Sequence, residues 1–223
     1  MAINASTAPK SGGVKQEVLP IGSHMARLVQ VVDLGVHRNH FDPSKAPKRR
    51  ISLTYELCNK FVKDAEGNED KEKPRWISHE FDLNHLTSDL ATSTKVARAL
   101  DPANTHRGDF IAMLGSPCMI TIVHNQKKTG EVYAKIGVVS SAIDGIPYPA
   151  LRNEPTALDL EDPNMEVFMK LPEWVKEKIQ ESLDFNGSPL HSLLKELDDA
   201  ATAAGGGGAF PSEAGGMDDV PFN

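Results

Sequence analysis

Apolar and polar side chains alternate most regularly over residues 50–57 (RISLTYEL), with Ile51, Leu53, Tyr55 and Leu57 on one face and Arg50, Ser52, Thr54 and Glu56 on the other. A period of two puts successive side chains on opposite sides of a pleated chain, so this segment predicts a half-buried β-strand. Upstream, residues 27–36 (RLVQVVDLGV) are β-branched and apolar on both faces. That pattern predicts a long strand covered on either side, with Gly35 able to bend or bulge its end. Residues 37–49 read as a polar loop containing Pro43 and Pro47. A charged excursion over 59–74 leads to a third strand, 75–81 (RWISHEF), with Ile77 and Phe81 inward and Trp76, Ser78 and Glu80 outward. The period then lengthens. Leu86, Leu90, Val96, Ala97 and Leu100, interspersed with Ser and Thr suited to caps, predict one or two short helices over 83–100, and 109–114 a further turn. Strands over 117–124 (PCMITIVH) and 131–140 (EVYAKIGVVS) flank a polar hairpin turn. In the second, Val132, Ala134, Ile136 and Val138 are expected inward, and Glu131, Tyr133 and Lys135 outward.

Downstream, the proline-punctuated residues 144–155 cannot continue a ladder. Residues 165–171 are expected as a short strand, and Pro172 opens a helix over 173–183 with Val175, Ile179 and Leu183 along one face. Leu190, Leu193, Leu194 and Leu197 repeat at helical spacing; this stripe packs either on its own domain or on a second copy in a homo-oligomer. Three strands, a helical insert and two strands follow the order of an OB-fold, a five-stranded Greek-key barrel, although other α+β domains share that order. The expected fold is therefore mainly β with added helices: an OB-fold-like barrel with a helical insert and C-terminal helices. Its expected organisation is an N-terminal arm over 1–24, the domain over 25–200, and a Gly-rich linker with an acidic tail over 201–223.

The formal charge of −7 argues against a polyanionic partner until its distribution is considered. Residues 1–155 carry 20 Lys+Arg against 17 Asp+Glu, a net of +3, and residues 156–223 carry 4 against 14, a net of −10. A mildly basic body is followed by an acidic end. Cys58 and Cys118 form no CxxC pair, and no secretory signal or span-length apolar run is visible, so a reducing cytoplasmic location and no membrane are expected.

The final seven residues, MDDVPFN, follow a tether that contains four consecutive glycines, 205–208. Phe222, beside Asp218, Asp219 and Pro221, suits a partner pocket with a basic rim. This tip resembles the partner-recruiting tail of single-stranded DNA-binding proteins, which ends in acidic residues followed by Pro-Phe; here Asn223 follows the Phe. Residues 26–183 resemble the OB-type single-stranded DNA-binding proteins of tailed bacteriophages. The resemblance implies sequence-independent coating of single-stranded DNA in phage replication or recombination, with the tail recruiting replication or recombination proteins.

Binding single strands irrespective of sequence needs cations for phosphates and flat rings for bases. Trp76 and Tyr133 lie on polar strand faces, with Arg50, Arg75 and Lys135 nearby in the pattern. Lys48, Arg49 and Arg50 form a basic triplet, Lys127 and Lys128 a basic turn, and Arg38 and Phe41, with His37 and His40, a loop able to close over a strand. Trp76 is either a stacking platform or packed beneath the 59–74 loop or a C-terminal helix; Tyr133 is either a platform or a rim cover. Trp174, on the C-terminal helix, is expected to matter less. No phosphate-binding glycine loop, HExxH, nucleophile elbow or paired cysteines are present, and nothing completes His37 and His40 as a metal site. The chain therefore reads as non-enzymatic and without a cofactor. The competing reading is a protein-interaction adaptor whose barrel binds no nucleic acid.

Overall fold

The computed structural model describes residues 16–39 and 42–204. Its strands are β1 (Gly22–His37), β2 (Lys48–Lys63), β3 (Glu69–Asp82), β4 (Pro117–Gln126), β5 (Val132–Ser141) and the short β6 (Thr156–Leu158). Helix α1 (Thr92–Leu100) lies between β3 and β4, and α2 (Met165–Lys170), α3 (Glu173–Gln180) and α4 (Pro189–Ala204) follow β6. The main path β3-β2-β1-β4-β5 is antiparallel throughout, and β6 adds to it in parallel beside β1. The sheet is open: β3 and β5 are its two ends and share no ladder, yet both line one groove, so it curls as a barrel does. Among the described residues no helix is long and apolar enough to cross a membrane.

β1 organises the molecule because its second half is buried on both faces. Its first half pairs with β4 and its second half with β6, while β2 follows it along almost the whole length. Register shifts after Leu28 and after Asp33 insert extra residues on β1, bending the strand. The second shift ends at Gly35, whose φ of 80° suits glycine, and a Cβ there would overlap Ser182. On the inner face Leu28 and Val31 join Leu53, Tyr55, Ile77, Ile120 and Ile136 in one core beneath α1. Outside it, Val32 and Leu34 join Leu158, Phe168, Leu171, Val175 and Ile179 in a second core, which seats the C-terminal helices on the sheet.

Several sequence expectations are corrected. The 59–74 excursion is mostly strand: β2 and β3 run on as a ribbon to a turn at Asp64, whose carboxylate accepts from the N–H groups of Glu66 and Asn68. Of residues 83–100 only Thr92–Leu100 is helical. In β5 a bulge falls between the pairs Thr121–Val138 and Ile122–Ile136, so Val139 points inward and Val138 is 54 % exposed; Val132, near the strand's start, is exposed too. Residues 165–170 are a helix rather than a strand, because Asn164 Oδ1 caps the N–H groups of Glu166 and Val167. Leu183 lies beyond the end of α3 and is exposed. Leu19, ahead of β1, is fully buried, and α4 reaches Ala204.

Where the second core meets the barrel end, Arg49 bridges Asp33 on β1 and Asp184 after α3, the latter at 2.9 Å. Burial holds the Asp33 carboxyl above its usual value, against the lowering pull of the Gly35 N–H and of Arg49. Arg49→Ala is expected to lower unfolding stability by about 2–3 kcal/mol at neutral pH, at the low side for an orphaned buried carboxylate because Arg49 is itself partly exposed. A carboxyl with a raised folded pKa favours the folded state when protonated, so the deficit relative to the parent protein should shrink as pH falls through that raised value. Urea melts of both proteins across acidic and neutral pH check this.

Candidate nucleic-acid interface

The outward face of β1–β3 carries polar side chains, as the alternation predicts. Thr54 pairs with Ser78 (Oγ1 to Oγ, 2.9 Å), and the Gln30 Nε2 donates to Thr156 Oγ1 at 3.1 Å. Glu56, only 4 % exposed, accepts from the Arg152 N–H at 2.8 Å, from the Asn153 N–H and Nδ2, and from the Trp76 indole Nε1 at 3.4 Å. A buried carboxylate needs such donors, and here they come from the proline-punctuated segment between β5 and β6. Arg27 ties down the same segment by donating to the Tyr148 and Pro149 carbonyls, and also bonds Gly115.

The face expected to be open is thus partly roofed by the chain itself. A recess of about 130 Å³ remains between the sheet and the α2–α3 junction, with Ser52, Thr54, Trp76 and Ser78 on one side and Lys170 and Trp174 among the residues on the other. Trp76 is half-buried there, which combines the two alternatives left by its sequence position: the C-terminal helices cover it, but not completely. Trp174, expected to matter less, lines the same recess. A second, more open recess of about 470 Å³ fills the seam between β3 and β5, lined by Ser78, His79, Glu80, Thr92, Tyr133 and Lys135. Ser78 lines both recesses. Tyr133 is half-buried, its hydroxyl accepting from Asn125 Nδ2 at 3.4 Å, and Lys135 is exposed. Burial, and then the Lys135 charge, hold His79 below its usual pKa, so its ring is neutral at neutral pH.

Most candidate cations already have partners. Arg49 is held by two carboxylates, Arg50 donates to Asp82 at 3.1 Å, and Arg75 to the Glu17 carbonyl at 2.6 Å. Lys48 bonds Asn84 and Lys127 pairs with Glu131. Arg38, Lys128 and Lys135 are exposed. The His37 ring contacts its own Leu34 carbonyl at 2.8 Å. His40, Phe41 and the tail residues Asp218, Asp219, Pro221 and Phe222 lie outside the described residues. Neither cysteine is activated: burial pushes the Cys58 thiol up and the Cys118 thiol to about 12. Lys170 and Trp174 are the site residues that sequence reasoning missed; the Pro172 helix start predicted where α3 begins, but not what it faces.

No protein-family model and no curated protein matches the chain. The site must therefore be read from its own geometry.

Glu56 is the keystone of the roof. Glu56→Ala should strip the Arg152 and Asn153 amides of their acceptor, at about 1.5–3 kcal/mol for hydrogen bonds to a charged group. Faster hydrogen exchange over residues 150–155 and red-shifted tryptophan emission are the expected readouts.

Proposed function

We propose that the protein binds single-stranded DNA without sequence preference and coats it during phage genome replication or recombination, while its acidic tail recruits partner enzymes. The observation that carries this reading is a pair of recesses that share Ser78, one with Trp76 and the other with Tyr133 and Lys135. Part-exposed rings beside cations are what sequence-tolerant stacking requires. The strand order, with a helix between β3 and β4 and an open seam between β3 and β5, is compatible with an OB-type barrel, a fold that binds oligonucleotides on its sheet face. In this mechanism bases stack on the rings, and Lys128, Lys135 and Arg38, just past the end of β1, displace counterions from phosphates.

One observation favours the adaptor reading instead: the C-terminal helices cover part of the sheet face, and several cations sit in ion pairs. A titration with oligo(dT) separates the two. Single-strand binding predicts quenched tryptophan emission and affinity that falls as salt rises, and an adaptor shows neither. Tyr133→Ala should weaken binding by about 1–3 kcal/mol, and Lys135→Ala should reduce the slope of log K against log salt by about 0.7. Removing residues 205–223 should tighten binding at low salt, because an acidic segment competes with the polyanion for the same cations.

A further inference from the structure

The geometry points to a pyrimidine-sized base pocket between the sheet and the α2–α3 junction, in which one base of the bound strand inserts between the Trp76 and Trp174 indoles. This deepens the single-strand reading and rests on it. Three features mark the recess as a built site rather than a packing gap.

The first is that both rings are held in place from outside it. Glu56 accepts from the Trp76 Nε1 at 3.4 Å. Lys178 Nζ lies 5.9 Å from the Trp174 ring centroid and is itself fixed by Glu80 at 2.6 Å. An indole 45 % exposed on a helix surface, yet backed by an anchored cation, is positioned rather than merely tolerated. Secondly, the floor is polar. Thr54 and Ser78 bond each other, and Gln30 gives its Nε2 to Thr156, while Ser52 lines the recess and takes part in neither bond. A hydroxyl on the recess wall that no neighbour engages is available to a ligand group that displaces solvent from it. Thirdly, the volume is selective. About 130 Å³ is well below a nucleotide-sized pocket but close to a cavity that accepts one six-membered ring. The sugar and phosphate stay outside, where Lys170 stands at the rim.

A single ring therefore enters edge first, its carbonyl or amino group meeting Ser52 and its faces covered by the two indoles. Purines are too large to seat fully. The coating is then indifferent to sequence at most positions but favours a pyrimidine at this one.

The test compares oligo(dT), oligo(dC), oligo(dA) and an abasic strand of equal length, on the full chain, for the parent protein, Trp174→Ala and Ser52→Val. The parent should prefer both pyrimidine strands to oligo(dA) by about tenfold. Trp174→Ala, and Ser52→Val by filling the floor, should abolish that preference, while the abasic strand binds all three proteins alike. Unchanged thermal unfolding of Trp174→Ala guards against a folding artefact, and Ser52→Val gives an independent route to the same loss. If Tyr133→Ala weakens binding but neither pocket variant alters the base preference, the pocket is overturned and single-strand binding stands. If the parent binds no strand at low salt, both readings fall.

Discussion

Everything in this molecule hangs on a strand whose second half is buried on both faces. β1 contributes Leu28 and Val31 to the barrel core and Val32 and Leu34 to the core under the C-terminal helices. Each such side chain, fully buried, is worth about 1.5–3 kcal/mol. The helices are thus not an appendage that can leave the barrel unchanged: lifting them would expose an apolar stripe along the central strand. The two bulges make this double burial workable, since they bend the strand so that its first half pairs with β4 and its second with β6.

The same constraint creates the candidate site. Covering β1 also lays a roof over the polar outer faces of β2 and β3, and every polar group placed there must find a partner. Thr54 finds Ser78, and Glu56 draws in the backbone of Arg152 and Asn153 along with Trp76. The Glu56 bonds hold the segment between β5 and β6 against the sheet. Trp76 is thus fixed on one side by Glu56, while Trp174 reaches the same recess from the α2–α3 junction.

Local patterning was enough to read the strands whose faces differ. In β2 the alternation of residues 50–57 marks which face is apolar, with Tyr55 and Leu57 fully buried, but not which face is covered, since Ser52, Thr54 and Glu56 on the polar face are buried too; in β3 Ile77 and Phe81 point inward as read. It failed where one residue is inserted: the β5 bulge reverses the alternation, and nothing in a run of Val, Ile and Gly marks which residue is extra. The ribbon beyond the core was also hidden, because a two-stranded extension wet on both faces carries no hydrophobic period. For the site, the outward direction of Trp76 and Tyr133 was legible. Their surroundings were not, since the roof comes from Trp174 and Lys170 and the partners of Arg49 lie up to 135 residues away.

Charge pairing sets how a chain of net −7 could hold a polyanion on the proposed reading. Exposed ion pairs contribute about 0–1 kcal/mol, so exchanging the Glu131 carboxylate on Lys127 for a phosphate costs little, and the Asp82 partner of Arg50 is only somewhat more sheltered. Arg49 is different. Moving it to a phosphate would abandon the Asp33 carboxylate, which is 12 % exposed, and the barrel end would lose its clamp. The cations therefore divide into a few that can turn to DNA and one that cannot. Counterion release is then limited to a small number of phosphates, and most of the affinity must come from stacking on Trp76, Tyr133 and Trp174.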